Sequence, residues 1–273
     1  MARTQALSLM YHDVVDGREH QGSGFPSSDA AIYKVEPLLF AAHMRAIAQA
    51  VSEKPSSVFA LDQVERRNSV FLTFDDGGVS AYSRVVDLLD SLGWVGHFFV
   101  TTGCIGHKSF MSRQQIRELV RRGHVVGSHS HTHPLMMANC SPEELRTEWQ
   151  SSVDILSEII GAPVKVASVP GGYYSKQVAE TASLAGIEVL FNSEPTTAIH
   201  RVGQCLVLGR YGIQQTTSAG VAASLAAGYG VSRIGQGVLW NLKKSLKCIG
   251  GEHYLTVRRM VIEKIRAARC DRE

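Results

Sequence analysis

Short apolar runs recur along this chain, and most of them end on a glycine or a polar residue. The first, Ala-Leu-Ser-Leu-Met-Tyr-His at 6–12, reads as a buried strand, and further strands are expected at 70–74, 97–100, 124–128, 164–169, 187–192 and 206–211. Between them the apolar positions take helical spacing. Phe40, Met44 and Ile47 mark a helix over 36–51, and Val85, Val86, Leu88 and Leu89 mark one over 80–92 that Gly93 stops. Ser112-x-x-Gln115 is a capping box that opens a helix with Ile116, Leu119 and Val120 inward and Gly123 at its end. Ser141-Pro142-Glu143-Glu144 opens a longer one with Leu145, Trp149, Leu156 and Ile159 on one face and Gly161 after it. A shorter helix fits 176–185. Residues 13–34, rich in Gly, Ser and Asp, read as a long loop. Ala- and Gly-rich 219–230, followed by an amphipathic stretch with Trp240, Leu242 and Leu246, read as a helical tail.

Alternating strands and helices predict parallel strands joined by right-handed crossovers. Chemically capable residues recur just after the predicted strands: His12, Asp75-Asp76, His129 and His133, Gly171-Gly172-Tyr173, Glu194 and Arg210. In an α/β barrel, functional groups collect on the loops at the C-terminal ends of the strands, so a barrel is the expected architecture. No internal repeat, low-complexity run or linker interrupts it.

At 273 residues and 44% hydrophobic, the chain can bury one large core. A formal net charge of +3 gives no argument for nucleic acid. The charge is uneven, however: residues 231–273 hold ten Lys/Arg against four Asp/Glu, which makes that segment +6 and the remainder −3. A solvated helical surface accounts for this; peripheral contact with an anionic membrane or a lipid-linked substrate is the sharper expectation. Neither an apolar leader core with a cleavage site nor a membrane-spanning stretch is present, and the five cysteines show no Cys-x-x-Cys spacing. Free thiols and a cytoplasmic location are expected.

Thr73-Phe74-Asp75-Asp76-Gly77 and His129-Ser130-His131-Thr132-His133 carry the chemistry. Two ionised carboxylates side by side at a strand end repel unless a cation neutralises them. One aspartate can then bind a divalent metal while the other serves as general base, with Asp76 as ligand and Asp75 as base. His129 and His133, four residues apart, suit one loop or turn closing on the metal, and Pro134 favours a loop. On an extended strand, His131 would join them as a third ligand.

Together these motifs resemble the polysaccharide deacetylase (NodB-homology) family, carbohydrate esterase family 4, over roughly residues 6–215. The resemblance implies a distorted (β/α) barrel with a divalent metal, usually zinc. It implies Asp76, His129 and His133 as ligands, Asp75 as base, and hydrolysis of an N-acetyl, sometimes O-acetyl, group on a sugar or polysaccharide. We therefore expect a catalytic barrel over 1–215 and a helical basic extension over 216–273. The later family motifs depart. The usual Arg-x-Pro-Tyr stretch is here Ser168-Val169-Pro170-Gly171-Gly172-Tyr173, so the arginine that orients the base is missing. Pro170, Gly171, Gly172 and Tyr173 can still wall the groove and offer a backbone N–H to an oxyanion. Asn192-Ser193-Glu194-Pro195 replaces the Asp-Trp motif, and Leu208-Gly209-Arg210 replaces the histidine motif that supplies the general acid. One branch of the family opens with Tyr-His-Asp-Val and takes the acid from that histidine. Tyr11-His12-Asp13-Val14 matches it, which makes His12 the candidate acid. Arg210, pairing with Asp75 or Glu194, is the candidate replacement for the missing arginine. Two other readings stay open: a hydrolase of a small non-sugar amide on the same fold, and a catalytically silent glycan-binding homologue.

Overall fold

The computed structural model describes residues 5–17, 21–63, 68–238 and 240–241. Among the described residues, nine strands form one sheet: β1 (Gln5–Tyr11), β2 (Asn68–Phe74), β3 (Gly96–Val100), β4 (Val125–Ser128), β5 (Val166–Ser168), β6 (Val189–Phe191), β7 (Ile199–Val202), β8 (Cys205–Leu208) and β9 (Tyr211–Gly212). Their order is β7-β8-β6-β5-β4-β3-β2-β1-β9, and every neighbouring pair is parallel except β7–β8. The expected uniform parallel alternation therefore fails at one place. Ile199–Val202 turns back through Gly203 (φ +58°) onto Cys205–Leu208 as a hairpin, with no helix between.

The strand expected over 206–211 is also two pieces. Cys205–Leu208 pairs with β6, the chain breaks at Gly209-Arg210, and Tyr211–Gly212 pairs with β1. One segment thus touches both ends of the sheet order and curls it into a distorted barrel. A side chain at position 209 would strike the Glu194 carbonyl, which is why a glycine stands at the break.

The helices follow the sequence closely. They are α1 (Ser28–Ala31), α2 (Pro37–Ala50), α3 (Val86–Leu92), α4 (Arg113–Arg121), α5 (Pro142–Ile160), α6 (Lys176–Leu184) and α7 (Ala219–Ala226). Both capping boxes form: Ser112 and Ser141 each accept a backbone N–H while Gln115 and Glu144 reach back, caps worth about 1 kcal/mol each. Residues Ala81–Val85, expected as the first turn of an α-helix, are wound as a π turn that leads into α3. Helix α7 packs along α2 and against β1, and after the non-helical residues 227–230 the chain is helical again over 231–238. Leu242, Leu246 and the lysines from Lys243 onward lie outside the described residues. Among the described residues, no helix is long and apolar enough to cross a membrane, and Cys104, Cys140 and Cys205 are free thiols.

Strand residues divide by the two-residue period of the pleat. Val70, Leu72 and Phe74 face the helix layer, as do Phe98 and Leu190, whereas Phe71, Phe99, Val189 and Phe191 fill the barrel interior. Thr73 and Asp75 continue the interior column of Phe71, so Asp75 arrives at the C-terminal mouth above an aromatic plug. His97 is fully buried against Phe71. Its Nε2 accepts the Val58 N–H (2.9 Å), and its Nδ1 lies 3.0 Å from the Leu72 carbonyl and must donate to it, so the imidazole is neutral.

Burial first, and His124 beyond it, push the His97 pKa down to about 4, although the Leu72 carbonyl opposes the shift. The unfolded chain therefore takes up a proton near pH 6.5 that the folded chain refuses. Stability present above pH 6.5 should fall steadily towards pH 4, by about 3 kcal/mol from this group. His43 adds to the loss because burial lowers its pKa too. Urea unfolding across that range should show the decline, and His97→Gln should flatten it.

Candidate active site

The two aspartates leave β2 in different directions. Asp75 carries the β1–β2 ladder one bond further, its N–H donating to the Tyr11 carbonyl (3.0 Å). Asp76 swings into the left-handed region (φ +75°) and Gly77 follows it (φ +82°). Among the described residues, only Asp76, Ser130 (φ +63°) and His133 (φ +58°) have positive φ without being glycine. Each such residue costs on the order of 1–3 kcal/mol unless its surroundings hold it, and strain of this kind collects at functional sites. All three fall in the two motifs.

Asp76, His129 and His133 converge. Nε2 of His129 is 3.4 Å from Asp76 Oδ1 and Nε2 of His133 is 3.6 Å from it, and one ligand atom from each residue lies within 4.8 Å of the others. These separations are long for a charge-assisted hydrogen bond, roughly 2.7–2.9 Å. They suit the edges of a tetrahedron of ligands about 2.0–2.1 Å from a shared cation. The donor set fits a divalent metal on a second count, because His129 is oriented from behind. Its Nδ1 lies 2.6 Å from Ser168 Oγ and 3.1 Å from the Ser168 carbonyl, which can only accept, so Nδ1 carries the hydrogen and Nε2 presents a lone pair. Burial and then neighbouring His129 push the His133 pKa down to about 4, which leaves it neutral at pH 7, the form that binds a cation. Burial opposes ionisation of Asp76, yet the imidazoles of His129, His12 and His133 bring its pKa well below the usual range.

His131 stands outside this cluster. Its Nδ1 pairs with Thr102 Oγ1 (2.9 Å). Glu148 on α5 shapes the loop: its carboxylate accepts the N–H groups of His131 and Thr132 (2.8 Å each) and the Thr132 hydroxyl (2.5 Å). Sequence reasoning passed over Glu148, although a carboxylate between inward-facing Leu145 and Trp149 was a visible anomaly.

Arg210 is fully buried. It enters from the Gly209-Arg210 break with its guanidinium carbon 5.8 and 5.9 Å from the Phe99 and Phe191 ring centroids. The guanidinium grips Asp75 with two bonds (Nη1–Oδ1 2.6 Å, Nη2–Oδ2 2.8 Å) and also donates to Thr73 Oγ1 and the Asn192 carbonyl. Glu194 meets Arg210 through the main chain, its carbonyl accepting the Arg210 N–H (2.9 Å). Burial pushes the Asp75 carboxyl up, but Arg210 beside it, with His129 and His12, holds it below the usual carboxylate range. Ser168 Oγ donates to Asp75 Oδ1 (3.2 Å), so one hydroxyl touches both Asp75 and His129. Ser168 stands where the family pattern has arginine, and its role here was not foreseen.

The remaining expected residues form the rim. Pro170–Gly172 make a tight turn with Gly171 at φ +60° and Gly172 at φ +71°. A Cβ on Gly171 would lie 3.4 Å from the Leu135 carbonyl, and one on Gly172 would collide with Ser193, so the turn is wedged between two loops. The Gly172 N–H leans towards the Val169 carbonyl (3.4 Å). Phe25 packs on the His133 ring, centroids 4.8 Å apart.

Residues 62–190, which hold both motifs, match the family profile of the polysaccharide deacetylases. Over that stretch, just under half of the chain, the protein is similar to the polysaccharide deacetylases. YxkH of Bacillus subtilis (strain 168) is 24% identical over 195 residues, covering 70% of this chain and 65% of that protein. The chitooligosaccharide deacetylase of Sinorhizobium fredii is 32% identical over 120 residues, covering 44% of this chain and 54% of that one. The chain thus spans between about one third and two thirds of the length of these curated relatives. Among solved structures, the Streptococcus pyogenes deacetylase PplD in complex with acetate superposes with a TM-score of 0.67 at 20% identity, over 82% of this chain and 98% of that one. At that identity the likeness is one of fold, the distorted barrel of polysaccharide deacetylases.

In this barrel, removing one partner of the buried Arg210–Asp75 pair strands the other charge. Arg210→Met should lower the unfolding free energy by about 3–5 kcal/mol, while a double variant that also replaces Asp75 with Leu should recover part of that loss. Denaturant titration of the three proteins distinguishes this from a pair of little energetic weight.

Proposed function

We propose that the protein is a metal-dependent hydrolase that removes N-acetyl groups from a sugar or glycan, with residues 1–215 as its catalytic barrel and 216–273 as an extension. The observation that carries this reading is a carboxylate held ionised by Arg210 beside a three-ligand cluster oriented by Ser168. The likeness of residues 62–190 to polysaccharide deacetylases supports the substrate class, as does the name of the Sinorhizobium fredii relative.

Asp76, His129 and His133 would hold the cation, zinc being the family's usual choice. When bound, it would polarise the acetyl carbonyl and acidify a water. Asp75 then takes a proton from the attacking water, its oxygens kept in place by Arg210 and Ser168. The Pro170–Tyr173 turn is our assignment for the groove wall and for a backbone N–H facing the oxyanion. His12 gives a proton to the nitrogen as the C–N bond breaks, and acetate and a free amino sugar leave. His12 lies close enough to act electrostatically on both aspartates.

Acetate release from an N-acetylated chitooligosaccharide should require added zinc or a similar divalent metal. Asp75→Asn and His12→Ala should each lower kcat by about 10²–10⁴-fold. His129→Ala should abolish the metal requirement together with the activity. Undiminished release from metal-free protein or from Asp75→Asn would sink the proposal.

A further inference from the structure

His12 Nδ1 is buried and has no hydrogen-bond partner among the described residues. A histidine that must present one ring nitrogen to a substrate is ordinarily oriented through the other, by a carboxylate or a carbonyl. His129 is held that way, on Ser168. His12 is not. Against its ring lies Tyr33 instead, with centroids 4.5 Å apart and planes 23° from parallel.

The two rings come from backbone segments that are locked together. Val14 and Val35 form a parallel bridge, in which the Val15 N–H donates to the Val35 carbonyl (3.0 Å) and the Val35 N–H to the Asp13 carbonyl (2.9 Å). Both neighbours of Tyr33 are tied down as well. The Ile32 carbonyl accepts the Gln215 N–H (2.9 Å), and buried Lys34 donates from Nζ to the Ser23 carbonyl (2.6 Å). Asp13, next to His12, is buried, and its Oδ1 accepts from Ser23 Oγ (2.5 Å) and Ser80 Oγ (2.9 Å). Gly24 and Gly78 press so closely on that carboxylate that a Cβ at either position would strike it. Each ring's point of attachment is therefore fixed, and the stack is what sets the plane of the imidazole.

We propose that Tyr33 is a positioning residue for His12. Its stacked ring does the work of the absent hydrogen-bonded partner, keeping Nδ1 buried and turning Nε2 to the leaving nitrogen. The inference rests on the reading of His12 as the acid. In that step the C–N bond breaks, its electron pair stays on nitrogen, and the nitrogen takes the His12 proton. The proton that Asp75 removed from water later restores His12.

Two substrates separate this role from a merely structural one. An N-acetylated chitooligosaccharide expels an amine that needs a proton, whereas p-nitrophenyl acetate expels a phenolate that does not. Tyr33→Leu should lower the ratio of amide to ester kcat at least about ten-fold with little change in KM, and Tyr33→Phe should restore the ratio to within about two-fold of the parent. Combining Tyr33→Leu with His12→Ala should cost no more than His12→Ala alone, as expected of residues acting as one unit. Should the leucine variant not fold, Tyr33→Met takes its place in the same comparison. An unchanged ratio in Tyr33→Leu, an equal loss on both substrates, or losses that add to those of His12→Ala would overturn the role of Tyr33 and leave His12 as acid. A ratio unaltered in His12→Ala would overturn the acid assignment itself, and Tyr33 with it.

Discussion

The buried pair between Arg210 and Asp75 is the interaction on which the rest of the site depends. A guanidinium and a carboxylate at the mouth of a barrel, both almost without solvent, are tolerable only with full hydrogen bonding. Arg210 meets that demand with Asp75, Thr73 and the Asn192 carbonyl while lying against Phe99 and Phe191. Its backbone stands at the break where one segment leaves β8 and joins β9. The residue that orients the candidate base therefore also sits at the seam where the sheet curls round. The geometry of the candidate site and the closure of the barrel thus meet at one residue.

A second constraint runs through the ligands. Asp76, Ser130 and His133 adopt left-handed backbone angles that few non-glycine residues take. The loop of His129 to His133 is held in that form from below, by Glu148 on two amides and a hydroxyl and by the Ser130 hydroxyl on the His133 N–H. Ser168 links this loop to Asp75, since one hydroxyl accepts from His129 and donates to the Asp75 carboxylate. The cluster thus owes its shape to rigid neighbours.

Much of this was legible in the chain before any fold was known. Apolar spacing located α2, and caps located α4 and α5, because Ser112-x-x-Gln115 and Ser141-Pro142 are unambiguous starts and Gly161 an unambiguous stop. The Asp75-Asp76 and His129/His133 motifs announced themselves because adjacent carboxylates and paired imidazoles are costly without a function. The parts that stayed hidden depend on contacts far apart in sequence. Nothing local in Ser168 says that it will lie under His129, and nothing in Tyr33 says that it will stack on His12. The β7–β8 hairpin was missed because its two short strands looked like a single late strand preceded by loop. Arg210 lay between: its placement after an apolar run was suggestive, but the choice between Asp75 and Glu194 needed three dimensions.

The central claim is a division of labour between neighbouring aspartates, with Asp76 on the cation and Asp75 reserved on Arg210. A crystal structure of zinc-soaked protein, with the cation located by its anomalous scattering, tests it directly. The account predicts one ion bonded to Asp76, His129 Nε2 and His133 Nε2, with Asp75 still gripped by Arg210 and His131 still on Thr102. Zinc bound by Asp75 or by His131, or Arg210 swung away from Asp75, would contradict it.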